Sequence, residues 1–463
     1  MKKLAGILFF LLLIVQPSGT PSRSAAADGA AAEEEYCGEY FLSSGQRVSV
    51  FRTGVLSELA RLTFINWENG RVGTLSADGA DRFWAAFSRQ QSDVRQTDIA
   101  FVRDDTGKVR HLTIKEGTGE AVRAERKETF TETSVQFANG DVILSGALKT
   151  PRGGGPFPAV ILVHGSGPGT REQYESIARF FVHLGLAVVS YDKRGCGAST
   201  GDWKAVDLDS LADDAAAAVS WLETNRAIDP RRIGLWGISQ GGWIVPLAAA
   251  RSDRVAFVIN HSGPGTSPRR QDTYMMANEL RDQGIPPDDV DLVIAGMNTL
   301  YDYGQKKATA QALDAAIERL RGKPGLEEFA GYSSRMLIPD SMYKYQKLGD
   351  PAWFFHLDPD RDALEPYRRL RCPLLVVYGR LDYTVPVEES EEKIAAVLRE
   401  SGHPDYTVEV LDRAGHGTIM MRKEEPRKQV EPLSIVPEYY SLLEGWLRTR
   451  GFCGAAPSAA DRR

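Results

Sequence analysis

The sequence predicts an α/β protein: a mostly parallel central sheet wrapped by helices, preceded by a small antiparallel β domain. Three observations carry that prediction. Between Ala159 and Ala250, strand-length apolar runs alternate with helix-compatible stretches, the pattern of successive strand–helix units. The third of these strands, over residues 232–238, runs directly into Gly237-Ile238-Ser239-Gln240-Gly241, and an apolar helical stretch follows at 243–250. Before Arg126 the chain has instead short alternating segments set off by turn residues, which read as antiparallel strands.

A chain of 463 residues exceeds what one core usually supports, so two or three domains are expected. Hydrophobic residues at 42% and charged residues at 25% are the proportions of a soluble globular protein. The net charge of −6 leaves no strongly basic domain to neutralise phosphates, which argues against nucleic acid as a partner. At the start, Lys2-Lys3, an apolar run over 4–15, Pro17-Ser18-Gly19 and Ala25-Ala26-Ala27 have the layout of a secretory signal peptide. The apolar run falls short of the roughly 20 residues that span a bilayer, and no cysteine sits at the expected cleavage point, so no membrane or lipid anchor is expected. The domains expected are a signal peptide (1–27), a β-rich domain (28–130) and a catalytic domain (131–463) with a helical insertion at about 265–367. The product would be periplasmic or secreted. There an oxidising compartment would permit Cys37 and Cys453 to pair, although spacing does not decide pairing. No spacing among Cys and His resembles a zinc site, and neither a metal nor a cofactor is expected.

Taken in order, residues 47–53, 60–67, 71–75, 98–103 and 108–115 alternate or are rich in β-branched and aromatic side chains. Ser44-Gly45, Asn69-Gly70, Asp78-Gly79 and Asp104-Asp105-Thr106-Gly107 supply turns between them. The regular spacing argues for a small, partly closed barrel. Gly38-x-Tyr40, Arg82-Phe83, Phe101 and Gly107-Lys108-Val109 resemble the lipocalin-like β domain appended to some secreted penicillin-binding-protein-type hydrolases. No nucleophile or ligand cluster is visible there, and a spacer or a shield beside the active site is the simplest role.

Asn139-Gly140, between β runs at 134–137 and 142–148, is a strong hairpin signal. Ala159-Val160-Ile161-Leu162-Val163 is continuously apolar, as strands buried on both faces are, and ends in His164-Gly165-Ser166-Gly167-Pro168-Gly169. A helical stretch at 174–184 precedes a second buried strand at 186–191, which ends in Asp192-Lys193-Arg194-Gly195-Cys196-Gly197-Ala198-Ser199. A helix at 209–222 and Asp229-Pro230 then lead to the strand before Ser239. H-G-S-G-P, D-K-R-G-x-G-x-S and G-x-S-x-G on three successive strands resemble the α/β-hydrolase superfamily, most closely the bacterial esterases related to serine aminopeptidases and dienelactone hydrolases. The resemblance covers roughly residues 132–450 and implies an α/β-hydrolase fold with an inserted helical cap. Within the insertion, 272–282, 288–303 and 308–321 have apolar residues at helical spacing. Met275, Met276, Met297, Trp353, Phe354 and Phe355 are candidates either for an acyl-pocket lining or for the cap's own core.

A serine hydroxyl needs an adjacent base, and the base needs a carboxylate to hold it. The Gly-x-Ser-x-Gly turn forces its serine into a strained backbone, so Gly237 and Gly241 must be small; Ser239 Oγ then stands clear at a helix N-terminus. The superfamily's chain order is serine, acid, histidine. Downstream of Ser239 lie His261, His356, His403 and His416. His416, in Ala414-Gly415-His416-Gly417 after an alternating strand at 406–411, is the expected base, with His261 the runner-up. Asp382, in Gly379-Arg380-Leu381-Asp382-Tyr383-Thr384-Val385-Pro386, matches the superfamily's acid loop; Asp412 is the competitor. The oxyanion donors expected are the backbone N–H groups of Gln240 and of Ser166, with Gly165 as the alternative to Ser166. His164, Asp192 and Arg194 are expected to fix loops. These residues point to cleavage of a carboxylic ester through an acyl-enzyme, on a small-molecule ester or peptide-like substrate. Aminopeptidase action, the rival, would need an acidic pocket for a substrate amine, which Glu279, Asp282, Asp288 and Asp289 could supply. A non-enzymatic binding protein on a hydrolase scaffold is the remote alternative, since all three triad members are present.

Overall fold

The computed structural model describes residues 33–54, 60–86, 95–323, 358–422 and 433–453. Eight strands come first: β1 (Gly38–Leu42), β2 (Arg47–Thr53), β3 (Arg61–Asn66), β4 (Val72–Ala77), β5 (Arg82–Ala86), β6 (Thr97–Arg103), β7 (Val109–Glu116) and β8 (Val122–Lys127). They pair in chain order, and β8 pairs back on β1, so the barrel is fully closed where the sequence pattern suggested partial closure. β1, β5 and β8 escape the pattern because two are only five residues long and β8 turns a single buried residue, Ala124, inward. An eight-stranded interior is narrow enough for side chains to fill. Tyr40, Phe64, Phe83 and Phe101, with Val48, Val50 and Leu112, fill this one.

The second body is an eight-stranded sheet in the order β16-β15-β14-β13-β11-β12-β10-β9. Its strands are β9 (Phe130–Asn139), β10 (Val142–Pro151), β11 (Phe157–Val163), β12 (Ala187–Tyr191), β13 (Ile228–Ile238), β14 (Phe257–His261), β15 (Leu374–Gly379) and β16 (Tyr406–Leu411). The β9–β10 hairpin is antiparallel at one edge and the rest is parallel. The helices are α1 (Glu175–His183), α2 (Leu208–Glu223), α3 (Gly241–Ala249), α4 (Pro268–Asp282), α5 (Pro287–Gly304), α6 (Ala310–Leu320), α7 (Glu365–Arg369), α8 (Val387–Glu400) and α9 (Pro437–Thr449). The continuous apolar runs have their explanation in two cores. Ala159, Ile161 and Val163 of β11 pack on α2 and α3, while Val160 and Leu162 face α1 and α9. A strand covered on both faces has no position left for an exposed polar side chain, and truncating one such residue, Ile161→Ala, would cost about 2–5 kcal/mol.

Inserted between β14 and β15, helices α4, α5 and α6 build a separate core from Met276, Leu280, Val293, Met297, Leu300 and Tyr301. Met276 and Met297 therefore belong to the insertion's own packing and not to an acyl pocket. Met275 is half-buried; Trp353, Phe354, Phe355 and His356 lie outside the described residues.

The barrel is docked on the sheet body. On β2, Val48 and Val50 point inward, while Arg47, Ser49 and Phe51 are also buried. Arg47 donates to the Arg179 carbonyl of α1 at 3.4 Å, and Thr53 donates to the Glu172 carbonyl at 2.8 Å. A backbone ladder adds to this: Val72 N–H donates to Leu433 O, and Ile435 N–H to Gly70 O, both at 3.0 Å. Next in that ladder, Met420 N–H donates to Ser434 O and Val436 N–H to Thr418 O, so the barrel's β3–β4 turn reaches the loop that carries His416. All four cysteines are free; the contacts just described, and no Cys37–Cys453 bridge, join the bodies.

Candidate active site

In an open α/β sheet, ligands bind beyond the carboxyl ends of the strands, where the strand order reverses. Here that point lies between β11 and β13, paired up to Val163 opposite Gly237. β13 ends at Ile238, and Ser239 follows with φ 55°, a left-handed backbone that costs a non-glycine residue about 1–3 kcal/mol. The turn leaves no room at its flanks: a Cβ on Gly237 would lie 2.5 Å from the Gly241 carbonyl oxygen, and one on Gly241 2.7 Å from that of Val163. Ser239 N–H is held by the His261 carbonyl at 3.0 Å. Gln240 precedes α3, so its N–H belongs to the helix's unsatisfied first turn.

Asp382 and His416 leave the ends of β15 and β16, and the structure brings them together. His416 Nδ1 and Asp382 Oδ2 are 2.7 Å apart, both side chains buried. Asp382 Oδ1 accepts from the Thr384 and Val385 N–H groups at 2.8 and 3.0 Å, which fixes the carboxylate behind the imidazole. The His416 loop lies against the elbow strand: a Cβ on Gly417 would be 3.6 Å from Ile238 Cδ1. Gly417 N–H donates to Ser262 Oγ at 3.3 Å. Ser262 itself has φ 52° and Thr418 φ 56°, so left-handed non-glycine residues occur on the elbow, beside it and on the histidine loop.

The other candidates fall elsewhere. Asp412 is exposed and pairs with Arg380 at 3.0 Å. His261 is fully buried, stacked on Tyr439 at 4.5 Å, with Nδ1 3.1 Å from the Tyr439 hydroxyl. That hydroxyl accepts from Trp236 Nε1 at 3.0 Å, so its own proton is free to go to His261. Burial pushes His261 down to about 3, with His416 adding to the effect; it is a neutral packing residue. His403 is buried and accepts from Asp405 N–H at 3.3 Å. His164 Nε2 lies 3.3 Å from the Thr170 carbonyl, within its own loop. Asp192 takes Arg171 through the guanidinium and backbone N–H and also takes Ala198 N–H, while Arg194 grips Asp214 through two nitrogens. Both fix loops, as expected. Of the insertion's acids, Asp282 and Asp288 are exposed, Asp289 pairs with Lys323 at 3.3 Å, and Glu279 takes the Gln283 amide.

The loop after β11 distinguishes Ser166 from Gly165. Gly165 N–H is already given to the Tyr174 hydroxyl at 3.0 Å, whereas Ser166 is exposed. Sequence reasoning missed Tyr174, Tyr439 and Ser262, whose contacts join segments far apart in the chain, and Lys193, which sits between two residues that were singled out. Among the described residues no group of three or more His, Cys, Asp or Glu is placed to hold a metal ion.

The model of the alpha/beta hydrolase family matches residues 160–432, more than half of the chain, and the protein belongs to that family. It is 27% identical over 338 residues to the esterase EstD of Thermotoga maritima, covering 71% of this chain and 70% of that protein. It is also 27% identical over 249 residues to the bifunctional esterase/perhydrolase DCH of Acinetobacter calcoaceticus, 52% of this chain and 80% of that one. The thiohydrolase apmlB of Arthrinium phaeospermum is 27% identical over 303 residues, with 61% and 91% covered. Among solved structures, the Pyrococcus furiosus esterase Pf2001 aligns with a TM-score of 0.45 at 20% identity, over 69% of this chain and 91% of that chain.

Proposed function

We propose that this hydrolase of the α/β family is an exported serine carboxylesterase working through an acyl-enzyme. The buried His416–Asp382 pair at 2.7 Å, on loops beside the strained Ser239 elbow, carries the reading. In the proposed cycle His416 takes the Ser239 proton as Oγ attacks the ester carbonyl, and Asp382 stabilises the imidazolium. The tetrahedral oxyanion accepts from Gln240 and Ser166 N–H. His416 then protonates the departing alcohol, and water releases the acid by the same steps in reverse. The esterase relatives support ester substrates. Two of the insertion's acids, Asp289 and Glu279, are engaged by Lys323 and Gln283, which gives no support to an amine-binding pocket there. Export is inferred from the leader-like first 27 residues alone.

The test compares p-nitrophenyl acetate, butyrate and octanoate with aminoacyl p-nitroanilides, for the wild type and Ser239→Ala. Ester turnover lost in the variant, with anilides untouched, is expected. Dominant anilide turnover would move the assignment to a peptidase, and ester turnover surviving in Ser239→Ala would overturn it.

A further inference from the structure

Lys193 follows β12 and is fully buried, yet among the described residues no carboxylate pairs with it. Asp214, its neighbour around a small cavity, is held by Arg194 at 2.6 Å. Instead the Lys193 ammonium meets three neutral oxygens: Gly165 O at 2.9 Å, Gly167 O at 3.0 Å and Gln240 Oε1 at 2.8 Å. Its backbone N–H adds a fourth bond, to Gly169 O at 3.0 Å, and the Trp203 ring covers the charge at 5.1 Å. One residue thus holds three alternate carbonyls of the loop after β11 and, through Gln240, the first residue after the nucleophile.

The direction of those bonds matters. In a planar trans peptide the C=O and the next N–H point opposite ways. Drawing Gly165 O down to the buried ammonium therefore turns Ser166 N–H away from the ammonium. Tyr174 fixes the peptide on the other side of Gly165, so the unit is held from both ends. Burial pushes Lys193 down to about 7; the ammonium form is the one with a donor for each of the three oxygens.

We infer that Lys193 is the positioning residue of the oxyanion hole: it locks the Ser166 and Gln240 donors in one mutual geometry by tying their segments together from beneath. This rests on the esterase reading above. Lys193 touches no substrate, and it acts through the peptide it orients. A donor displaced in this way is lost in the transition state while ground-state binding is retained, so kcat falls and KM does not.

The experiment uses Lys193→Met, which keeps the stem and removes the donors, and Lys193→Arg, which keeps the charge, should the first fail to fold. Three quantities are measured on each folded variant with p-nitrophenyl butyrate: kcat, KM, and the inhibition constant of a trifluoromethyl ketone, which forms a tetrahedral oxyanion on serine. Removing one oxyanion donor lowers kcat about 10²–10³-fold, and Lys193→Met is expected to approach that loss. KM should stay put, and ketone affinity should weaken in step with kcat/KM. Hydrogen exchange over Gly165-Ser166-Gly167-Pro168-Gly169 should quicken. Unchanged kcat in a variant whose loop exchanges faster would overturn the inference, as would a rise in KM alone or ketone affinity that does not follow kcat/KM. Failure of the esterase reading itself looks different: wild-type turnover would then be indifferent to Ser239→Ala.

Discussion

Two regions of the molecule bury positive charge, and they do so by opposite means. At the seam between barrel and sheet body, Arg47, Arg179 and Lys149 meet Glu39, Glu175 and Glu132. Glu39 receives Arg179 at 2.6 Å and Arg47 at 3.3 Å, Glu175 receives Arg179 at 2.7 Å and Lys149 at 2.8 Å, and Glu132 receives Lys149 at 2.9 Å. The charges cancel, and burial, which would push Glu39 up, is outweighed by the two arginines. Beneath the candidate oxyanion loop, Lys193 has carbonyls and an amide in place of carboxylates. A carboxylate neutralises a buried cation from many angles. A carbonyl does so best from near its own plane and lone pairs, and so its peptide is oriented in return. The seam is built as a fastening, and the Lys193 site as an alignment.

That comparison breaks most visibly if the two regions are cut separately. In the proposed mechanism Asp382→Asn takes away the charge that stabilises the imidazolium, and a loss of about 10⁴-fold in kcat is expected with the loops still folded. The unfolding midpoint in urea should move little. Arg179→Met should do the reverse. It strands Glu39 and Glu175 without their shared partner, and breaking a buried pair from one side costs about 3–5 kcal/mol, read as a lower urea midpoint, with kcat of the folded enzyme retained. A variant at the seam that lost turnover at full stability would show that the barrel's ladder to the His416 loop carries more than fastening.

Acid should act on the buried histidines before the seam's carboxylates. His164 and His261 lie on the site side and are neutral when folded, pushed down by burial to about 4 and about 3 from 6.5. The unfolded chain binds their protons first, so their stabilisation is complete above pH 6.5 and declines as pH falls toward 4 and then 3. Each contributes about 1.4 kcal/mol per pH unit across its window. Glu39 and Glu132, held below the usual 4.5, retain their contribution to lower pH. Urea midpoints are therefore expected to fall from pH 6.5 downward, with the seam's carboxylates giving way only in stronger acid; His183 on α1, pushed down by desolvation and by Arg47, adds to the upper part of the fall from the seam side. His261→Phe, keeping a ring against Tyr439, should flatten the upper part of that fall; an unchanged slope would assign it to other groups.

The same contrast explains how much was legible in the sequence. Residues 159–163 and 374–378 declare a doubly covered sheet because each position faces one core or the other. Local glycines and flanking strands mark the loops of Ser239, Asp382 and His416, and the structure does bring Asp382 to His416. The closed barrel was only partly visible, since β8 shows one inward residue and its closing partner is β1, about as far off in the chain as the barrel allows. The seam and the Lys193 crossing were invisible for a deeper reason. Arg47, Arg179 and Glu39 read as ordinary surface charges until three separate segments bury them together. Lys193 likewise has nothing in its neighbouring residues to announce partners at 165, 167 and 240.

Asp412 gives the smallest expected effect and the sharpest check on which carboxylate serves His416. Both Asp382 and Asp412 follow strand ends within reach of the histidine loop by sequence count. Asp382 is buried and spends both oxygens, one on His416 and one on two backbone N–H groups. Asp412 stands in solvent, its side chain 83% exposed, on Arg380. An exposed pair of that kind contributes about 0–1 kcal/mol. Asp412→Asn should therefore leave kcat, KM and the pH profile of ester hydrolysis as they are, with at most a slight loss of stability that salt removes. A fall in kcat approaching that of Asp382→Asn would mean that His416 draws on Asp412 during turnover, and that the buried pair is a resting arrangement.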